Sequence, residues 1–92
     1  MPKVEIYTTP TCSYCLRAKA LLDRKKVSYV EIRVDQDPQQ RAIMIQRSGG
    51  QRTVPQIFIN DQWIGGFDEL WSLEQQHQLD SKLTSSTEKK HG

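Results

Sequence analysis

The chain has no long apolar run. The longest is four residues, Ala42 to Ile45, against the roughly 18 that a membrane span requires, so no span is expected. A leader is not legible either. Met1-Pro2-Lys3-Val4-Glu5-Ile6-Tyr7 contains no signal-length apolar stretch, and the expected compartment is a reducing one, the cytoplasm. Charge of one sign is not in excess: 13 Lys and Arg stand against 11 Asp and Glu, for a net +2. Residues 1–60 carry ten basic and five acidic side chains, and residues 61–92 carry three and six. That split could draw small anions to the first half, but solvated helix faces account for most of it. The basic residues are not interleaved with aromatics, which excludes a nucleic-acid stripe. Neither internal repeats nor low-complexity segments occur. What remains, with 92 residues, 36% apolar and 26% charged, has the proportions of one soluble globular domain with a modest core.

Cysteine is nearly absent, and both copies fall at one place, Cys12-Ser13-Tyr14-Cys15. A disulfide at this spacing closes almost no loop and so has little structural use. In a reducing compartment, C-x-x-C next to a strand–helix–strand pattern reads as redox-active. The rival is zinc, which wants four ligands in a structural site. Only His77 and His91 could complete such a set. With no second ligand pair, no metal is expected.

Around that pair the pattern is regular. Lys3 to Thr8 alternates as a strand, and Thr9-Pro10-Thr11 breaks it. Ser13 to Lys26 is helical, with Cys15, Ala18, Leu21 and Leu22 on one face and Arg17, Lys19, Arg24 and Lys25 on the other. Ser28 to Val34 is a second strand, placing Val30, Ile32 and Val34 on one side. Asp37-Pro38 starts a helix that runs through Ala42, Ile43 and Ile45 to Ser48 and ends at Gly49-Gly50. Gln56-Ile57-Phe58-Ile59 is a strand, and Asn60-Asp61 turns it back into Gln62-Trp63-Ile64. Gly65-Gly66 breaks that strand, and a helix with Leu70, Trp71 and Leu73 spans about Asp68 to Gln76. Asp68 would cap it, and His77 would sit in its last turn. Gln78 to Leu83 adds at most a short helical turn. Residues 84–92 read as a polar, disordered tail. The expected domain is thus 1–83, an α/β fold of order βαβαββα. It has a mixed four-stranded sheet, parallel across the first crossover and antiparallel at the hairpin, with helices on both faces.

On this frame Cys12 lies in the loop before the first helix and Cys15 in its first turn. Unpaired N–H groups at a helix start favour thiolate over thiol. Cys12 is therefore expected to be the attacking sulfur. Cys15, enclosed by the helix, is expected to resolve the mixed disulfide.

Taken with Arg52-Thr53-Val54-Pro55-Gln56-Ile57-Phe58-Ile59, Ile64-Gly65-Gly66 and Phe67-Asp68-Glu69-Leu70, the segment from Val4 through Cys15 resembles the glutaredoxins. The likeness covers about residues 1–83. It implies the thioredoxin-like fold, the short dithiol class and glutathione as reductant. The activity it implies is reduction of protein disulfides and of protein–glutathione mixed disulfides by a monomer. Its partners would be glutathione and disulfide-containing or glutathionylated client proteins. It further implies a cis Val54-Pro55 bond and a glutathione site at Tyr14, Thr53, Val54, Pro55, Gly66, Phe67 and Asp68. There the Val54 main chain would pair with the cysteinyl backbone. N–H groups near Gly66 would take the γ-glutamyl carboxylate, and Asp68 would face its ammonium. Trp63 and Trp71 are read as core and rim packing.

Three positions depart from the family pattern. Ser13 replaces a frequent proline, and some members without that proline form a dimer around a glutathione-ligated [2Fe–2S] cluster. A cluster carrier or sensor is therefore the alternative reading. Thr9 replaces a frequent Lys or Arg, for which Arg17 or Arg41 could substitute. Phe67 replaces a frequent Cys or Ser, in a place where the main-chain donor matters most. A redoxin served by thioredoxin reductase would lack a glutathione site, and Tyr14 with Gly66-Phe67-Asp68 argues against it.

Overall fold

Alternating and continuous apolar runs become four strands, and the amphipathic stretches become four helices. The computed structural model describes residues 2–88, with side chains as far as Leu83. Along the chain these are β1 (Val4–Thr8), α1 (Ser13–Arg24), β2 (Val30–Arg33), α2 (Pro38–Arg47), β3 (Gln56–Ile59), β4 (Gln62–Gly65), α3 (Phe67–Gln75) and α4 (Leu79–Glu88). The sheet order is β2-β1-β3-β4, with β1 and β2 parallel and the other two pairs antiparallel. This is the expected mixed sheet of a thioredoxin-like α/β fold.

Helices cover both faces. Val4, Ile6, Ala18, Leu22, Ile57, Leu70 and Leu79 form one core cluster, under α1, α3 and α4. Tyr7, Val34, Met44 and Phe58 form the other, under α2. All four residues of β3 are buried, as a strand covered on both sides must be. Arg47 helps seal the α2 face. Its guanidinium carbon lies 4.0 Å from the Phe58 ring centroid, while its nitrogens donate to Tyr7 Oη at 2.8 Å and Glu5 Oε1 at 2.9 Å.

The local signals at two places behave as read. Asp37 Oδ1 accepts from the N–H groups of Gln39 and Gln40 at 3.0 and 3.4 Å. Asn60 and Asp61 both adopt left-handed φ, +52° and +67°, as a two-residue type I′ turn needs.

In α2 Met44 is buried, while Ala42 and Ile43 face solvent. Other expectations are corrected. Lys19 and Lys25 are not on a solvated face of α1. Lys19 pairs with Glu31 at 2.9 Å, and Lys25 ties α1 to Glu74 of α3 and Asp80 of α4 at 2.6 and 3.1 Å. Val30 alternates as expected but sits on an edge strand, 59% exposed. Helix α3 begins at Phe67, and His77 lies beyond its end with φ +60°. The last helix is longer than one turn: α4 carries the backbone on to Glu88, through the first part of the stretch expected as a tail. Residues 89–92, and with them His91, lie outside the described residues. Among the described residues no helix is long and apolar enough to cross a membrane.

Candidate active site

Three segments far apart in sequence meet at one end of the sheet: the start of α1, the loop before β3 and the start of α3. Cys12 is the N-cap of α1, and its Sγ accepts the Cys15 N–H at 3.1 Å. A side-chain acceptor is what an N-cap supplies, and here the acceptor is sulfur. As a thiol, Cys12 reaches the Val54 carbonyl at 3.6 Å, so the sulfur lies beside the main chain of the second segment. Both cysteines are free thiols, Cys12 partly exposed and Cys15 buried.

Cys15 has 1% exposure. Burial pushes its thiol up to about 12, and its hydrogen bond to Cys12 adds to the shift. A main-chain hydrogen bond from Thr9 and the Lys19 charge oppose it. The pair is therefore asymmetric. One sulfur is reachable at a helix start, and the other is held protonated beneath it.

The second segment is Thr53-Val54-Pro55, whose Val54–Pro55 bond is cis. Buried Gln56 braces it, donating from Nε2 to the Thr53 carbonyl at 3.0 Å and accepting from Trp63 Nε1 at 2.8 Å. The third segment approaches closely. A Cβ on Gly66 would stand 3.2 Å from the Pro55 carbonyl oxygen, and one on Gly65, at φ +121°, would stand 2.8 Å from Glu69 Cγ.

A groove of about 570 Å³ runs between these segments. Tyr14, Thr53, Val54, Pro55, Gly66, Phe67 and Asp68, all candidates in the sequence, line it together. Gln51, Gln56, Trp63, Ile64, Gly65 and Glu69 line it as well. Trp63 is thus not core packing but a groove wall, 45% exposed.

Two details at α3 differ from expectation. The N-cap is Gly66, not Asp68, and Glu69 Oε1 reaches back to accept the Gly66 N–H at 2.8 Å. That leaves Asp68 in the first turn with its carboxylate free of the capping role. The N–H groups of Phe67 and Asp68, first and second in the helix, have no intrahelical acceptor and suit an anion. Glu69 was legible as an acidic residue three positions after the cap, had the helix start been placed at Gly66. The Phe67 side chain also does more than carry a main-chain donor. It stacks between Tyr14 and Trp71, with centroid separations of 6.0 and 6.2 Å. The possible substitutes for a cation at Thr9 take up other posts. Arg17 lies over the Tyr14 ring at 5.4 Å, and Arg41 donates to the Arg52 carbonyl at 3.0 Å. Among the described residues no group of three or more His, Cys, Asp and Glu side chains converges as a metal site would require.

Fold and site together define a thioredoxin-like domain with a dithiol centre at a helix start. The glutaredoxin family model matches residues 4–64. Glutaredoxin 3 of Escherichia coli K12 is 53% identical over 83 residues, covering 90% of this chain and 99% of that protein. A probable glutaredoxin of Synechocystis has the same identity over 83 residues, covering 90% and 76%. The solution structure of glutaredoxin from Brucella melitensis superposes with a TM-score of 0.80 at 49% identity, covering 91% of this chain and 90% of that one. The buckwheat glutaredoxin–glutathione complex gives 0.83 at 32% identity, covering 91% and 78%. The chain belongs to the glutaredoxin family of thiol oxidoreductases.

Proposed function

We propose that the protein is a glutathione-dependent dithiol oxidoreductase that reduces protein disulfides and protein–glutathione mixed disulfides. The observation that carries this reading is the asymmetry of the pair: Cys12 capping α1 beside the Val54 carbonyl, and Cys15 buried with its thiol pushed up to about 12. In the proposed cycle the Cys12 thiolate attacks the glutathione sulfur of a glutathionylated client. A Cys12–glutathione disulfide forms and the client leaves as a thiol. Free glutathione then attacks that adduct, releasing glutathione disulfide and restoring Cys12. With an intraprotein disulfide, Cys12 becomes bonded to the client instead. Cys15 attacks the Cys12 sulfur, the client departs fully reduced, and two glutathiones reduce the Cys12–Cys15 disulfide.

The groove supports glutathione as the reductant. The Val54 main chain lies beside Cys12 and is open to a strand-like partner. The first N–H groups of α3 suit a carboxylate, and Asp68 stands ready for an ammonium. A related fold, that of buckwheat glutaredoxin, is known in complex with glutathione. The protein acts as a monomer in a reducing compartment, the cytoplasm. The alternative, a dimer around a glutathione-ligated cluster, rests on Ser13 alone, which stands where a proline is frequent.

Paired assays test the roles. Cys15→Ser is expected to keep deglutathionylation and to lose most direct reduction of protein disulfides. Cys12→Ser is expected to lose both, since a neutral hydroxyl does not replace a thiolate. Substantial deglutathionylation by Cys12→Ser, or its complete loss in Cys15→Ser, overturns the assignment. A requirement for thioredoxin reductase in place of glutathione overturns the choice of reductant.

A further inference from the structure

One helical turn beyond Cys15, on the same side of α1, stands Lys19. Its ammonium lies 2.9 Å from Glu31 Oε2 on β2. The same oxygen accepts the Thr8 hydroxyl at 2.7 Å. Thr8 is wholly buried at the end of β1, where the chain leaves the sheet for the Cys12 loop. Three elements thus converge on one carboxylate oxygen and hold a lysine that the helical pattern alone would leave in solvent. Exposed ion pairs contribute only about 0–1 kcal/mol to stability, so stability is a weak reason for this arrangement. Its position is a better one: Lys19 stands one turn from Cys15, and the carboxylate that holds it is fixed by Thr8, the residue before Thr9, whose main chain hydrogen-bonds the Cys15 sulfur.

We propose that Lys19, clamped by Glu31 and Thr8, is a positioning residue for the resolving step, its ammonium stabilising the Cys15 thiolate as that sulfur attacks Cys12. The inference rests on Cys15 being the resolving thiol, as proposed above. In this step the Cys15 thiol gives its proton to solvent. Its electron pair forms the Cys12–Cys15 bond, and the bond between Cys12 and the client breaks. The client sulfur leaves with the electron pair and is protonated from solvent. The client is reduced and the cysteine pair oxidised, with no other redox partner.

The charged surroundings are few. From the Cys12 loop comes Cys12 itself, and from α1 Lys19, with Asp23 farther along. From the β2 side come Tyr29, Glu31 and Arg33. Strand β3 carries no charged residue. The first turn of α3 carries Asp68 and Glu69, the latter committed to the Gly66 N–H. Lys19 is thus the cation on α1 that opposes the burial of Cys15, and Glu31 both holds and partly cancels it.

The opposed roles give a test by sign. Protein-disulfide reduction and deglutathionylation are followed across pH for the full chain and for Lys19→Met, Lys19→Arg, Glu31→Gln and Cys15→Ser. In Lys19→Met the ratio of disulfide reduction to deglutathionylation is expected to fall roughly tenfold, the scale of one unit charge removed at short range. Its pH profile for disulfide reduction moves to higher pH, and Lys19→Arg restores most of the ratio. Glu31→Gln keeps an acceptor for Lys19 and Thr8 but removes the countercharge, so its profile moves to lower pH. An unchanged ratio in Lys19→Met, or profiles of Lys19→Met and Glu31→Gln moving the same way, overturns the proposal while leaving the dithiol reading intact. A Cys15→Ser ratio equal to wild type overturns both.

Discussion

At Gly65 and Gly66, single atoms decide how near α3 comes to the cysteines. A side chain on Gly66 would press on the Pro55 carbonyl at 3.2 Å, and the Gly65 backbone is left-handed with Glu69 packed against it. The approach lets the first N–H groups of α3 line the same groove as Val54. Because Glu69 caps the helix through the Gly66 N–H, Asp68 is free to act as a ligand. Asp68→Ala therefore costs the fold only the first-turn charge–dipole contribution, about 0.3–1 kcal/mol. On the proposed placement of glutathione it removes the partner of the γ-glutamyl ammonium. The KM for glutathione is expected to rise roughly fivefold, as the loss of about 1 kcal/mol implies. Turnover with dithiothreitol is expected to stay near wild type. Steady-state kinetics with the two reductants check this, and equal losses with both would remove Asp68 from the glutathione site.

Helix ends show the same economy at the scale of elements. α1, α2 and α3 all close with paired hydrogen bonds from the two residues after the cap. At α1 these run from Lys26 to Asp23 and from Val27 to Leu22, at 3.0 and 3.4 Å. At α2 they run from Gly49 to Gln46 and from Gly50 to Ile45, at 3.3 and 2.8 Å. At α3, His77 and Gln78 do the same. The closing residue is left-handed in each: Lys26 at φ +59°, Gly49 at +70° and His77 at +60°. A left-handed non-glycine residue costs roughly 1–2 kcal/mol, part of which glycine returns through the unfolded chain. Lys26→Gly is thus expected to stabilise the protein by up to about 1 kcal/mol, and Gly49→Ala to destabilise it by about 1 kcal/mol or more. No atom lies within 4 Å of a Cβ at Gly49, so the second effect is backbone alone. Urea midpoints of the two variants, moving in opposite directions, check the pair. These ends also explain what was legible beforehand. Asp37-Pro38 and Gly49-Gly50 announce the limits of α2 in their own chemistry. Lys26 and His77 do not, because nothing in a lysine or histidine signals left-handed φ. The start of α3 was read at Asp68 because acids are common caps, whereas the cap is made jointly by Gly66 and Glu69. Past Leu83, α4 has no apolar side chain in the sequence to show a period. In the site, C-x-x-C and T-V-P were readable as local strings. The Lys19–Glu31–Thr8 cluster was not, since it exists only once β1, α1 and β2 are laid together.

The whole molecule places two titrating groups against opposite ends of the pH scale. Glu31 is held below the usual carboxylate range, first by its Lys19 hydrogen bond and then by Thr8. A lowered carboxylate stabilises the fold above its ordinary value of 4.5 and loses that contribution as pH falls through its folded value. Cys15 works in the other direction. Its thiol is raised from an ordinary 9.0 to about 12. In the unfolded chain it ionises once pH passes its ordinary value, while the folded chain keeps it protonated. Folding is therefore fully supported below pH 9.0, and the support drains away between there and about 12. Each pH unit in that window takes up to about 1.4 kcal/mol from the wild type. Cys15→Ala cannot lose a proton at this position and escapes that part of the decline. It begins less stable than wild type, because a well-packed buried group has been cut back, and the gap should narrow as pH rises. Denaturation in a reducing buffer at about pH 8 and about pH 10.5 measures this. The wild-type stability is expected to fall by about 2 kcal/mol more than that of Cys15→Ala. Parallel declines would mean that the buried sulfur ionises as readily in the folded chain as in the unfolded one.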